Sequence, residues 1–201
     1  MQSALSRQSA LIQPVSVVQA VQNSTIGKMT LVVAASAFVA VCAHISIPLP
    51  FTPVPLTLQN FAVILVGLAL GPVAGFSAMV LYLAEGAMGL PVFTPHSVGG
   101  LAHLMGPNGG YLFSYPLAAA CAGWTVRVMQ RFTTRFRSAL VASIVASLPI
   151  FLLGAGWLAH LLRLNAAQTW TLGVAPFLPG EVIKITAAAG IFSAAQRWHR
   201  S

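Results

Sequence analysis

Glu181 and Lys184 are the residues of this chain whose types and spacing could do chemistry together. The chain has ten lysines and arginines but two acidic residues, and one acid stands three positions before a lysine in an otherwise apolar segment. Residues three apart on a helix share a face, so the carboxylate could accept and the ammonium donate hydrogen bonds to one target. We interpret the pair as a binding site. The alternative is an internal ion pair that closes the helix start after Pro179.

Composition supplies the elements that must position this pair. The chain is 57% hydrophobic and 6% charged over 201 residues, too few charges to coat a soluble domain. Ionisable groups at membrane depth usually face a cavity, a partner or a substrate. The net charge of +8 indicates membrane orientation rather than nucleic-acid binding, because lysine and arginine collect in cytoplasmic loops. We therefore predict a multi-pass membrane protein.

Six apolar segments approach the length that crosses the hydrocarbon core. We predict an all-α membrane domain over residues 29–198, preceded by a cytoplasmic tail over residues 1–28. Proline breaks the chain at 48–55, and the glycine-rich loop at 92–110 is too long to be a simple connector. The six predicted transmembrane helices cover about 29–47, 56–70, 73–90, 111–129, 139–162 and 176–196.

Charge placement predicts the orientation of these spans. With a cytoplasmic N-terminus, every lysine and arginine that lies between or outside the spans is cytoplasmic except Arg163, as positively charged loops require. Both termini are then cytoplasmic. The proline-rich connection, the long loop and the start of the sixth span lie on the outer side, above Glu181 and Lys184.

Polar and aromatic residues near this outer side are further candidates. Thr57 and Gln59 offer a hydroxyl and an amide, with helix capping as the alternative. Tyr82 could form a wall of the pocket, or it could serve packing alone. Glycines let the long loop approach a ligand closely, so we expect this loop to form a lid. The lid candidates are Phe93, His96, Gly99, Gly100, Gly109 and Gly110, with Asn108 and Tyr111 the strongest.

Catalysis and metal binding find little support. His44, His96, His103 and His160 match no metal-ligand spacing, and Ser97 near His103 lacks a nucleophile turn, which leaves an intramembrane hydrolase as a remote alternative. The chain has no phosphate-binding loop for ATP. We expect no enzyme activity, no metal and no cofactor, and any ATP dependence must come from partners.

Four segments in order resemble the BioY family, the biotin-specific substrate-binding (S) components of energy-coupling factor (ECF) transporters. The family usually has aspartate where this chain has Glu181 and often threonine where it has Asn108. The resemblance implies six helices, cytoplasmic termini and a high-affinity biotin pocket closed on the outer side by loops. The four segments are Pro50–Gln59, Leu81–Phe93, Gly106–Leu112 and Leu178–Lys184.

Biotin offers a ureido ring with two N–H donors and a carbonyl, an apolar thiophane ring and a valerate carboxylate. The resemblance implies that Glu181 accepts a ureido N–H, while Lys184 donates to the ureido carbonyl or pairs with the valerate. The residues leave that choice open. An S component for another vitamin is the alternative, because the longer Glu181 could change specificity. The expected site comprises Glu181, Lys184, Asn108, Tyr111, Gln59, Thr57, Tyr82 and Phe93.

The resemblance also implies partners in the bacterial cytoplasmic (inner) membrane, a transmembrane coupling protein and a pair of ATPases. Family members dock through small residues of the first helix, where backbones can approach closely. Phe38 and Val39 interrupt the alanine spacing here, so a solitary or self-associating transporter stays open. The expected docking residues are Ala34, Ser36, Ala37 and Ala40.

Overall fold

The computed structural model describes residues 24–95 and 99–198. The chain divides into two units, residues 1–31 and 32–201. In the first, Ser24 caps the start of a helix, since its Oγ accepts a hydrogen bond from the Gly27 N–H at 2.8 Å, as is typical of serine at this position. Helix α1 therefore begins at Thr25, before the expected end of the tail at residue 28. Residues 1–23 lie outside the described residues.

Helices dominate the described residues, as predicted. Within the described residues, three stretches are long and apolar enough to cross a membrane by length and composition, namely Thr25–His44, Arg135–Leu162 and Ala166–Trp198, and two shorter helices are also apolar. A helix overlaps each of the six predicted segments. In chain order the elements are α1 (Thr25–His44), β1 (Ser46–Ile47), β2 (Leu56–Thr57), α2 (Gln59–Leu70), α3 (Pro72–Ala87), α4 (Gly100–Met105), α5 (Gly109–Met129), α6 (Arg135–Leu162), α7 (Ala166–Gly173), a 3₁₀ turn (Ala175–Phe177) and α8 (Leu178–Trp198).

Three connections hold more structure than the sequence predicted. The proline-rich segment is bracketed by β1 and β2, which pair antiparallel with Ser46 opposite Thr57, so the fold is not purely helical. The long glycine-rich loop contains the short helix α4. The link between α6 and α8 contains α7, which begins with a reciprocal capping box between Asn165 and Gln168, an arrangement that satisfies two helix N–H groups.

Helix α5 packs against α2, α3, α4 and α6, and glycines allow the close approach. A Cβ on Gly67 would lie 2.4 Å from the carbonyl oxygen of Ala119. Between α2 and α3, Gly71 has φ +83 and packs against the Arg127 guanidinium, and its backbone conformation favours glycine. Close packing of small residues is the usual way in which helices associate in a membrane.

One expected docking residue on α1, Ser36, is not accessible. Ser36 has 0% exposure, and its Oγ donates a hydrogen bond to Glu85 of α3. It therefore cannot line an accessible surface, and Glu85 has a structural partner that the sequence did not suggest. Ala34 and Ala37 are exposed and Ala40 is partly exposed.

Candidate binding site

A cavity of about 40 Å³ lies where β2, α2, α5 and α8 meet the loop segments. Five of the eight expected site residues line it, and Glu181, Tyr82 and Phe93 do not. The wall combines several polar side chains with apolar ones. Its lining residues are Val54, Pro55, Thr57, Gln59, Asn60, Thr94, His103, Asn108, Tyr111, Leu112, Tyr115, Phe151, Phe177 and Lys184.

Lys184 contributes a buried charge to this wall, and Glu181, which does not line the cavity, forms an ion pair with it. The two residues are 7% and 4% exposed, and Lys184 Nζ lies 3.8 Å from Glu181 Oε2. Ser147 Oγ of α6 donates a hydrogen bond to Glu181 Oε1 at 2.7 Å. Buried charges are tolerated when they are paired and hydrogen-bonded. The prediction that the pair shares one helix face is correct, but only Lys184 lines the cavity.

A second polar chain joins this pair to the opposite wall. Asn60 Nδ2 donates to Glu181 Oε2 at 3.4 Å, and the Tyr115 hydroxyl donates to Asn60 Oδ1 at 3.1 Å. Both residues line the cavity, and neither was among the predicted site residues. Asn60 follows the candidate Gln59 directly, and that adjacency was the available signal. For Tyr115 the apolar surroundings in the sequence gave none.

Tyr82 supports Gln59 instead of forming a wall, which corrects its expected role. Gln59 Nε2 donates a hydrogen bond to the Tyr82 hydroxyl at 2.6 Å, and that hydroxyl donates to the carbonyl oxygen of Val92 at 2.9 Å. Thr57 Oγ1 donates to Gln59 Oε1 at 3.3 Å. The Gln59 amide is thus held in one orientation at the cavity wall.

Phe93 is likewise a packing residue. Its ring meets Tyr82 edge-on with centroids 5.5 Å apart, and it stacks on His103 at 4.9 Å. A Cβ on Gly86 would lie 2.0 Å from the Phe93 ring, so this glycine makes room for the stack. Burial lowers the pKa of His103, because desolvation disfavours the imidazolium. His103 lines the cavity as a neutral side chain, and the described residues form no cluster of three metal ligands.

Asn108 and Tyr111 play different parts in the wall. Asn108 Oδ1 is buried and has no hydrogen-bond partner among the described residues, so it is an acceptor that a ligand could satisfy. The Tyr111 hydroxyl donates to the carbonyl oxygen of Gly173 at 2.6 Å, which ties α5 to the end of α7. An orphaned buried acceptor costs about 1–3 kcal/mol, and such a cost is typical of a functional site.

The glycines expected to form a lid do not line the cavity. Gly109 and Gly110 begin helix α5, where a Cβ would lie 1.9 Å from the Leu104 carbonyl oxygen and 2.2 Å from Trp157 Cβ respectively. They are therefore packing residues. Gly99 and Gly100 lie at the start of α4 and do not line the cavity. His96 lies outside the described residues.

A larger hollow of about 550 Å³ adjoins the cavity. Four residues line both spaces, and they form the partition between them. The rest of the hollow's lining comes from the end of α1, β1, the proline-rich connection, α4 and the residues that flank α4. The partition residues are Pro55, Thr94, His103 and Asn108.

The known proteins that this chain resembles point to one family. The model of the BioY family matches residues 15–201. The chain is 40% identical over 161 residues to the probable biotin transporter BioY of Pyrococcus horikoshii, covering 80% of this chain and 91% of that one. It is 37% identical over 155 residues to the biotin transporter BioY of Thermotoga maritima, covering 77% and 86%. Its structure resembles the S-component for biotin from an ECF-type ABC transporter, with a TM-score of 0.78, 25% identity and coverage of 87% and 93%.

Proposed function

Because the chain belongs to the BioY family, a family of transporters and not of enzymes, we propose that it binds biotin and carries it across the bacterial cytoplasmic membrane. The observation that carries this proposal is the single ammonium group of Lys184 at the wall of a buried cavity, backed by Glu181 3.8 Å away. The sequence resemblance to this family is confirmed by the family match.

The chemistry of the wall suits biotin. Asn108 Oδ1, which has no hydrogen-bond partner within residues 24–95 and 99–198, can accept from a ureido N–H, and the ammonium of Lys184 can donate to the ureido carbonyl or pair with the valerate. Val54, Leu112 and Phe177 supply apolar surface for the thiophane ring. A pocket that pairs each polar atom of its ligand avoids the cost of burying unsatisfied groups. Glu181 acts through Lys184 rather than by direct contact.

Biotin entry requires the partition to move. A cavity of about 40 Å³ is a few times the roughly 10–15 Å³ that suffices to hold one water molecule, and biotin is a much larger molecule. The adjoining hollow of about 550 Å³ shares the four partition residues with it. We propose that biotin arrives in the hollow and that displacement of His103 and Asn108 joins the two spaces.

The orientation and the partners belong to the same proposal. Six spans with cytoplasmic termini keep all arginines of the Arg127–Arg137 segment inside and turn the hollow outward. The domain would run over residues 29–198, and the chain would serve as the S component of an ECF transporter. Its coupling protein would meet the exposed small residues Ala34 and Ala37 of α1, with Ala40 beside them. Operation as a solitary or self-associating transporter is the alternative.

Radiolabelled biotin binding to the purified full chain tests the proposal. Wild type should bind, Lys184→Ala and Glu181→Gln should lose most binding while they keep a monodisperse size-exclusion profile, and exposed Lys28→Ala is the control. A folded wild type that binds another vitamin in a competition panel, and not biotin, would overturn the assignment of substrate.

The methyl ester of biotin identifies the end that Lys184 contacts. If Lys184 pairs with the valerate, esterification should weaken binding in the wild type but have little further effect in Lys184→Met. If Lys184 serves the ureido carbonyl, esterification should have the same effect in both proteins. This comparison is a double-mutant cycle in which the ligand supplies one of the two changes.

A further inference from the structure

A groove of about 350 Å³ runs along the α5–α6 pair, apart from the cavity and the hollow. Its lining is largely apolar, and His160 is the polar exception. A Cβ on Gly156 would meet no atom within 4 Å, so the space above this glycine is open. The lining residues are Gly110, Phe113, Leu152, Leu153, Gly156, Trp157 and His160.

The aromatic walls of the groove are held in place. The Trp157 indole N–H donates to the carbonyl oxygen of Gly106 at 2.9 Å, and its ring meets Phe113 edge-on with centroids 6.2 Å apart. The groove is therefore preformed. Gly106 precedes Asn108 by two residues, so the groove wall anchors the loop segment that lines the cavity.

One end of the groove is polar, and a positive charge follows it closely along the chain. Leu153, Gly156 and His160 succeed one another at spacings of three and four on α6, which places them on one helix face. Arg163, three residues after His160, is the exposed C-cap residue of α6 and has a left-handed backbone with φ 54. The chain has two acidic residues, and both are engaged elsewhere, Glu85 with Ser36 and Glu181 with Lys184. No acidic side chain is left to neutralise Arg163.

We propose that the groove binds one acyl chain of an anionic phospholipid, with the phosphate held by His160 and Arg163. An apolar groove with an imidazole and a guanidinium near one end is complementary to an anionic lipid, which has an apolar chain and a negatively charged headgroup. A second copy of the chain would bring an apolar helix face but no acid to pair with Arg163. The lipid would brace Trp157 and through it the loop at Gly106. This inference does not depend on which vitamin is transported.

Quenching of Trp157 fluorescence by lipids with brominated acyl chains tests the site. The protein would carry Trp124→Phe, Trp170→Phe and Trp198→Phe, so that Trp157 alone reports. Brominated phosphatidylglycerol should quench it strongly, and Gly156→Leu should remove most of that quenching. Gly190→Leu is the matched control, because a Cβ there also meets no atom within 4 Å, and it should leave quenching unchanged.

The headgroup is tested by competition between lipids. Phosphatidylglycerol should be preferred over phosphatidylcholine by roughly fivefold, the equivalent of about 1 kcal/mol for one arginine near an anionic headgroup, and Arg163→Gln should abolish the preference. Equal quenching in Gly156→Leu and Gly190→Leu would overturn the acyl site. A crosslinked dimer that Gly156→Leu disrupts would instead assign the groove to self-association and also overturn it.

Discussion

Lys184 lines the cavity, whereas Glu181, whose Oε2 lies 3.8 Å from Lys184 Nζ, does not. The two charges of one helix face therefore differ in position, since Lys184 lines the cavity and Glu181 contacts its neighbour. Removal of one partner of a buried pair leaves an uncompensated charge and costs about 3–5 kcal/mol. Neutral Glu181→Gln is thus expected to weaken biotin binding through Lys184, while Glu85→Gln, which alters the other acid, should leave affinity unchanged in a calorimetric titration.

Ser147→Ala should lower biotin affinity about tenfold. It removes the 2.7 Å hydrogen bond to Glu181 Oε1, and bonds to charged groups are worth about 1.5–3 kcal/mol. Ser143→Ala is the control one turn earlier, since that hydroxyl donates only to the Ala139 carbonyl at 2.8 Å. Equal losses of affinity in the two variants, measured by calorimetry, would contradict a positioning role for Ser147.

Asn108→Leu should stabilise the empty protein and weaken biotin binding. The substitution removes a buried oxygen that has no partner among the described residues, a group that costs about 1–3 kcal/mol when unsatisfied. Thr125→Val removes the other such oxygen, which does not line the cavity, and should raise the melting temperature without any effect on affinity. A lower melting temperature for Asn108→Leu would show that its side chain is structural.

Gly154→Ala should destabilise the fold by about 1–3 kcal/mol, the usual cost of overpacking. The new Cβ would lie 2.1 Å from the Tyr111 ring, and displacement of that ring would break its hydrogen bond to Gly173. Gly156→Ala, two residues later with open space above it, should be neutral or stabilising by up to about 1 kcal/mol because alanine favours helix. Thermal unfolding in detergent compares the two, and a similar change in both would refute the packing argument.

The closed arrangement of α4 should become less stable below pH 6.5. Burial lowers the pKa of His103 from its ordinary value of 6.5. As the pH falls, the His103 imidazole therefore takes up a proton at a higher pH in the opened loop than in the closed one. Stability is full above 6.5 and falls as pH decreases toward the lower pKa of the closed state. Hydrogen exchange over residues 99–110 should increase relative to His103→Phe at the same acidic pH. An identical response in both proteins would exclude His103, and exposed His44→Gln should behave like wild type.

Helix positions were largely predictable, because apolar runs ended at strong breakers such as Gly71 and Pro72. The faces of those helices were not. In a soluble helix the polar side marks the solvent, but in a membrane both lipid and core accept apolar side chains. Ser36 was therefore expected on an accessible surface, and the structure buries it against Glu85. Tyr82 was placed on the correct helix, yet it turns to Gln59 rather than to the cavity.

The membrane class and the family were readable from the residues alone, and Glu181 and Lys184 were singled out as a predicted site because scarce charges in an apolar chain are costly. Which of the two lines the cavity depends on contacts between helices. That outcome depends on Ser147 and Asn60, which come from other helices and bind Glu181 from behind. Ser147 is 34 positions from Glu181 in the sequence, and Asn60 is 121 positions away. Such contacts leave no periodic pattern along the chain, because they arise from how the helices pack and not from how each helix forms.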